Sequence, residues 1–377
     1  MDALADLFDW LVDGAPGVTG SPDIVTRLGD SLRAAGLPVD RVAIFVLTLH
    51  PNVLGRAFYW RPGEPVTTTE LTLTRQSSAD FVGSPVHTVF TTREELRLRV
   101  SADSHYSLIR TLHADGFADF LGLPLIFTTG SVHAITFATR RLDGFADADL
   151  AAMRRIARPL ARVAEIFALR RTAANILSTY VGHDSGERIL AGRIHKGDIE
   201  VLRAVIWFSD LRGFSTMSQG RSPRELIDTL NELFEGQVPA IEARGGEVLK
   251  FIGDGLLAIF PCAGPEATAL ACDAALAAAD AALAALAAAG HGLQIGVGLH
   301  VGEIAYGNIG GASRLDFTVI GEAVNLASRI EGLTARLGRR VVVSADFAAH
   351  ATRPLDALGE FELKGIAARQ PVFGPRE

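Results

Sequence analysis

Two carboxylates stand where strands end. Residues 245–260 read GGEVLKFIGDGLLAIF. The glycine pair, the strand residues Leu249, Phe251 and Ile252, and the apolar run Leu256 to Phe260 predict a hairpin. Asp254 sits at its tip between Gly253 and Gly255, which permit backbone angles a side chain forbids. A carboxylate there is exposed enough to hold a cation, although by itself the pattern more often marks a polar turn. Residues 201–215 read VLRAVIWFSDLRGFS, with an apolar strand over Val205 to Phe208 and Asp210 just past it. Mg²⁺ takes one or two carboxylates plus substrate phosphates. Two such ions clamp the attacking and leaving oxygens of a phosphoryl transfer. Residues 316–330, DFTVIGEAVNLASRI, add Asn325 and Arg329, four apart at a helix start and so on one face.

These stretches resemble the catalytic domain of the class III nucleotidyl cyclases. The motifs, in family order, are Phe208-x-Asp210-x-x-Gly213-Phe214, Gly245-Gly246 through Lys250 to Gly253-Asp254, Gly298-Leu299-His300-x-Gly302, and Val319-x-Gly321-x-x-Val324-Asn325-x-Ala327-Ser328-Arg329. The resemblance implies attack of a ribose 3′-hydroxyl on the α-phosphorus of ATP, giving 3′,5′-cyclic AMP and pyrophosphate. It implies Asp210 and Asp254 as ligands of two Mg²⁺ or Mn²⁺ ions per site, with a backbone carbonyl of Ile206 or Leu211 as a further ligand. It implies that Asn325 positions the ribose and Arg329 stabilises charge on the α-phosphate. Lys250 and Thr318 match the two base-reading positions. Lysine only donates, and adenine N1 accepts whereas guanine N1 donates. Thr318 replaces the commoner aspartate but matches a bacterial subclass, often bicarbonate-responsive. Lys364 is the candidate triphosphate-binding cation, and Glu303 stands where some relatives have arginine. In the family, the metal carboxylates come from one subunit and the base-reading and Asn/Arg residues from the other. A single domain carrying both sets implies a head-to-tail homodimer. Guanylyl cyclase and an inactive nucleotide-binding regulator are the alternatives. A diguanylate cyclase lacks support, since GGEVL replaces GGDEF.

The remaining chain must position this chemistry. At 377 residues two or three domains are expected. A net charge of −7 argues against a general nucleic-acid partner. No secretory signal pattern is found, so a cytoplasmic location is expected. Ala263 to Gly290 is the most apolar long segment, but Glu266, Asp273 and Asp280 recur every seven residues, which predicts an amphipathic helix and no membrane span. Cys262 and Cys272 read as small core residues.

The fold expected is α+β: a GAF-like α/β sandwich over 1–146, a helical linker over 147–200 and a ferredoxin-like cyclase domain over 201–377. In the first part, helices near 4–11 and 24–32, strands at 41–49 and 56–60, and a hairpin over 120–127 and 132–139 resemble a GAF sensor in element order. Arg56, Tyr59, Trp60, His105, Tyr106 and His113 are its candidate pocket residues, for an unknown small-molecule or protein signal. A helix over 147–176 carries the stripe Met153, Ile156, Leu160, Val163, Ile166, Phe167 and Leu169. That stripe suits self-packing in a dimer or packing on its own sensor. Residues 177–200 read as a jointed linker. In the last part, Ser222, Pro223 and Glu225 start a capped helix with Leu226, Ile227, Leu230, Leu233 and Phe234 on its buried face. A strand over 293–300, a glycine-rich turn over 301–311, a strand over 316–319, a helix over 322–337, a strand over 341–344 and end strands at 361–364 and 371–373 complete the expectation.

Overall fold

The computed structural model describes residues 3–48, 53–72, 79–311 and 313–376. It divides into two units, Met1–Ile176 and Leu177–Glu377. The boundary therefore falls inside the segment expected as a linker.

The first unit holds α1 (Ala3–Val12), α2 (Ser21–Ala34), β1 (Arg41–Leu47), β2 (Val53–Trp60), β3 (Thr67–Thr72), α3 (Ala79–Val82), α4 (Pro85–Thr92), β4 (Leu96–Arg99), α5 (Ser107–Ala114), β5 (Asp119–Ile126), β6 (Val132–Thr139) and the start of α6 (Asp147–Val181). The strands form one antiparallel sheet in the order β3-β2-β1-β6-β5-β4. Its two faces follow the period-two alternation of strands. Ile44, Val46, Phe58, Trp60, Ile135 and Phe137 pack with α1, α2 and α6. Ala43, Phe45, Ala57 and Ala134 pack with Val86 and Val89 of α4. Helices thus cover both faces, not one.

The stripe on α6 divides along its length. Met153, Ile156, Leu160 and Val163 are buried in the sensor core. Ile166 and Leu169 are exposed, as are Ile176 and Tyr180 further on. Glu165 holds the middle of the helix down, accepting hydrogen bonds from the Thr128 backbone N–H (2.9 Å) and hydroxyl at the tip of the β5–β6 hairpin.

The second unit runs α7 (His183–Leu190), β7 (Ile199–Leu211), α8 (Phe214–Met217), α9 (Pro223–Glu242), β8 (Glu247–Ile252), β9 (Gly255–Cys262), α10 (Gly264–Ala289), β10 (Ile295–Gly310), β11 (Leu315–Ile320), α11 (Glu322–Glu331), α12 (Leu333–Leu337), β12 (Val341–Ser344), α13 (Ala345–Ala348), β13 (Leu355–Phe361) and β14 (Gln370–Pro375). The order β13-β14-β12-β10-β7-β9-β8, with β11 added on β10, contains the ferredoxin-like set β10-β7-β9-β8. β7 is central because its run Ala204 to Trp207 is apolar on both faces and fully buried. Its register follows: Asp210 lies opposite Gly296 of β10, and Ser209 opposite Leu256 of β9. α10 is long and apolar enough by composition to cross a membrane. Here Ala271, Cys272, Ala275, Leu276, Ala279 and Leu286 pack into the core, Asp273 accepts from the Thr352 backbone N–H and Asp280 pairs with Arg353. Both cysteines are buried and free.

Several local expectations change. Residues 301–311 are not a turn but the second half of β10, up to Gly310. Glycines of β10 serve close packing: a Cβ at Gly298 would lie 2.4 Å from the Glu331 backbone N, and one at Gly302 2.4 Å from the Ala323 Cβ, both on α11. The helix expected over 322–337 breaks at Gly332 into α11 and α12. The α9 capping box forms, with the Glu225 N–H donating to Ser222 Oγ (3.3 Å) and the Ser222 N–H to Glu225 Oε2 (2.8 Å). Ile227, however, is exposed, while Thr229 and Gln237 are buried. Residues 183–190 are no free joint. Ser185 is buried and donates to Glu247 Oε1 (3.1 Å), as does the Tyr306 hydroxyl (2.6 Å), which ties α7 to β8 and β10. β13 ends at Phe361, so Lys364 falls in the turn beyond it.

Gly298→Ala should destabilise the second unit by about 1–3 kcal/mol, the usual cost of overpacking against backbone. The fluorescence of the buried Trp207 reports that unit in a denaturant titration, and an unchanged midpoint would show that α11 does not press on β10.

Candidate active site

Asp210 and Asp254 meet. Asp210 is in the last turns of β7, and Asp254 is in the two-residue turn between β8 and β9, where Gly253 takes φ +66°. Partial burial, then the charge and a hydrogen bond of Asp254, push Asp210 up to about 6. Asp210 keeps a solvent-open face, so water screens part of this opposition. Its strand end is anchored one residue earlier, where the buried Ser209 hydroxyl donates to Gln237 Oε1 of α9 at 2.6 Å. Two facing carboxylates, one of which is raised by the charge of the other, suit a divalent cation. Among the described residues no group of three or more His, Cys, Asp or Glu side chains forms a cage.

A third carboxyl lies nearby that sequence reading missed. Glu331, at the end of α11, is pushed up to about 7 by burial, then by the charge of Asp210, with Asp254 adding to it. Only the packing of α11 on the glycines of β10 brings it there; the spacing of 121 positions between Asp210 and Glu331 carries no signal.

Lys250 and Thr318 lie on β8 and β11. Lys250 Nζ is 2.5 Å from Asp316 Oδ2, so β8 and β11 are joined by an ion pair two residues from Thr318. Thr318 is buried, opposite Gly307. Asp316 is a second residue not foreseen. Phe251 and Ile252, between Lys250 and the Asp254 turn, are about half exposed at 52% and 50%.

Asn325 and Arg329 share the open side of α11, both exposed. Asn325 borders a groove of about 800 Å³ with Arg203, His300, Glu303, Asp346 and Ile366. Lys364 is exposed and precedes Gly365, another wall of this groove. Burial pushes His300 down to about 4, and its Nδ1 lies 2.8 Å from Ser344 Oγ. The groove includes neither Asp210 nor Asp254. On β10 it flanks residues 300–303, four to seven positions beyond Gly296, the partner of Asp210. At strand rise that is roughly 13–23 Å along the sheet. Within one chain the two carboxylates and the Asn325 groove are separate.

Comparison with known proteins identifies both domains. The family model for the adenylate and guanylate cyclase catalytic domain matches residues 200–373, and that for the GAF domain residues 23–163. The chain carries a cyclase catalytic domain behind a GAF domain. The chain resembles an adenylate cyclase of Anabaena cylindrica, at 33% identity over 49% of this chain and 37% of that one. An adenylate cyclase 1 of Rhizobium meliloti matches at 29% identity over 57% of this chain and 34% of its own. The chain thus spans about a third of the length of these relatives. Among solved structures, a bacterial light-regulated adenylyl cyclase matches with a TM-score of 0.49 and 20% identity, over 68% of this chain and 85% of that one.

In the GAF domain the six candidate pocket residues do not gather. Arg56 borders a cavity. Trp60 is buried against α2, its Nε1 donating to Asp30 (3.1 Å). Tyr59 faces the other side of the sheet, edge-on to Phe45. His105 stacks on Tyr106, whose hydroxyl is 3.0 Å from Thr88 Oγ1, and His113 is exposed on α5. Packing uses those side chains where the sequence offered only their types.

Two opposite pH dependences are built into the metal-free cyclase domain. Asp210 has a folded pKa near 6 against an ordinary 3.8, so acidification through 6 relieves its opposition to Asp254 and stabilises the fold. His300 is held neutral, near 4 against 6.5, so its contribution is complete above 6.5 and is lost as pH falls toward 4. Asp254→Asn should therefore steepen the fall in Tm between pH 7 and 5 in chelator, and adding Mn²⁺ should raise the Tm of the parent but not of the variant. Identical pH profiles for the two would refute the carboxylate contact.

Proposed function

We propose that this protein is an adenylyl cyclase, converting ATP to 3′,5′-cyclic AMP and pyrophosphate in composite sites of a head-to-tail homodimer. The observation that carries the reading is the separation of two complementary sets of groups on one sheet: Asp210 with Asp254 at one end of β7, and the groove of Asn325 beside its middle. One chain is then incomplete, and a two-fold copy supplies the missing half twice over. The exposed Phe251 and Ile252 beside Asp254, with the exposed Ile227, give that contact an apolar centre.

Mg²⁺ or Mn²⁺ ions at Asp210 and Asp254 supply neutralisation of the phosphates and a lowered pKa for the ribose 3′-hydroxyl. Catalysis by the chain itself is positioning and charge stabilisation, since phosphoryl transfer leaves the protein little covalent work. Lys250 donates to adenine N1, its ammonium aimed by Asp316. The Thr318 hydroxyl accepts from the adenine amino group. Asn325 orients the ribose, and Arg329 meets charge developing at the α-phosphate. Lys364, on its turn beside the Asn325 groove, binds the β- and γ-phosphates that leave as pyrophosphate. The GAF domain regulates this activity.

With Mn²⁺, the purified protein should make cyclic AMP from ATP and little product from GTP. Lys250→Ala should lower kcat/KM for ATP about 100-fold through the lost base contact, and Arg329→Ala should lower kcat by about 10²–10³-fold. No cyclic nucleotide from either substrate, with ATP still bound, would favour the inactive regulator. A second expectation concerns assembly. Equal amounts of Asp210→Ala and Arg329→Ala chains, each nearly inactive alone, should regain about a quarter of parental activity on mixing, because half the dimers are mixed and each has one intact site. Failure to regain activity in mixed dimers shown to form would overturn the composite site.

A further inference from the structure

The geometry points to a ligand site in the GAF domain, on the α2/α6 face of its sheet, that takes a small amphipathic carboxylate with a hydrocarbon body. The inference stands apart from the cyclase reading. A cavity of about 380 Å³ opens there, walled by Ile44 and Val46 of β1, Phe58 of β2, and Leu160 and Phe167 of α6. That volume lies within the range of small-molecule pockets, which are mostly apolar with a few convergent polar groups. Here the charged groups are all of one sign. Arg56 of β2 and Arg170 and Arg171 of α6 border the cavity, and among the described residues no Asp or Glu does.

Their charge is incompletely matched. Arg56 is 2.6 Å from Glu70 on the neighbouring strand. Arg170 and Arg171 make no ion pair among the described residues; Arg170 lies over the Phe167 ring at 5.9 Å. Burial, then the charge of Arg56, holds the Arg171 guanidinium below its ordinary value, while Glu70 offsets this in part. Two guanidiniums gathered near one carboxylate leave room for a second carboxylate, which arginine binds through two parallel N–H donors. The walls are hydrocarbon, so burial of an alkyl body supplies the rest of the affinity. α6 contributes Leu160, Ala164, Phe167, Ala168, Arg171 and Ala174 along one side. These positions run from the buried stretch of the helix into the part where Ile166 and Leu169 are exposed. A seated ligand therefore fastens that part of α6 to the sheet.

Decanoate is the probe, titrated into the full chain by calorimetry with no nucleotide present. It should bind saturably and raise the Tm of the GAF domain, while acetate and decanol bind at least about tenfold more weakly, since each lacks one of the two contacts. Arg171→Gln should weaken decanoate about tenfold, and Ala164→Phe, which fills the cavity, should abolish binding. Arg171 is exposed, so its variant tests the site even if Ala164→Phe fails to fold. The proposal is overturned by absence of saturable decanoate binding, by equal affinity for decanoate and decanol, or by unchanged binding in Arg171→Gln. It is also overturned if sedimentation shows a dimer that Arg171→Gln or Ala164→Phe dissociates and decanoate does not bind, because a second copy then occupies the groove. None of these readouts depends on cyclase activity, so either reading can fail without the other.

Discussion

Two like charges are held side by side at the end of β7, and much of the cyclase domain serves to keep them there. Carboxylates free to move would separate. Asp210 cannot, because β7 is paired on both edges and buried on both faces, so its register is set over its whole length. Asp254 cannot, because its two-residue turn closes the β8–β9 hairpin, with Gly253 in a left-handed conformation. Ser209 and Gln237 lock the strand end from beneath, and Glu331 adds a third acidic group within electrostatic reach. Such stored opposition is what a divalent cation relieves, and it explains why a fold would tolerate it.

The same strand separates the carboxylates from the Asn325 groove within one chain. β7 and β10 form a long antiparallel pair, and the domain distributes its polar groups along it. The carboxylates occupy one end, and α11 hangs Asn325 beside the middle. α11 approaches so closely only because β10 carries Gly298 and Gly302 at the contact. The Lys250–Asp316 ion pair ties the metal hairpin to β11, and the Ser185–Glu247–Tyr306 hydrogen bonds tie it to α7. The hairpin is thus connected on two sides to elements far from its tip. The six residues of β8 join α7 to the Asp254 turn, with the buried Glu247 as the point of attachment.

In the GAF domain the governing element is α6. Its first part is core, its middle is pinned by Glu165 to the β5–β6 hairpin, and its later part borders a cavity with arginines on one side and exposed apolar residues on the other. A helix held firmly at one stretch and loosely at the next is suited to respond to what fills the space beside it.

The sequence by itself determined the local pieces of this protein. Alternation and glycine placement marked β1, β2, the β5–β6 and β8–β9 hairpins and the tip position of Asp254. Ser222, Pro223 and Glu225 marked the start of α9. Motif order carried the cyclase resemblance and named Asp210, Lys250, Thr318, Asn325 and Arg329 together. These are short-range features, written in neighbouring residues. What the tertiary structure decided depends on contacts between distant positions. The glycines of 301–311 read as a turn until Gly302 is seen against α11 and Gly307 against the backbone at Asp198 and Ile199, because a missing side chain signals close approach as readily as flexibility. Glu331, Asp316 and Gln237 join the site through strand register and helix packing, and no local pattern distinguishes them from other polar residues. Tyr59, Trp60 and Tyr106 left the sensor pocket for the same reason: residue type states what a side chain can bind, and only the fold states what it already touches.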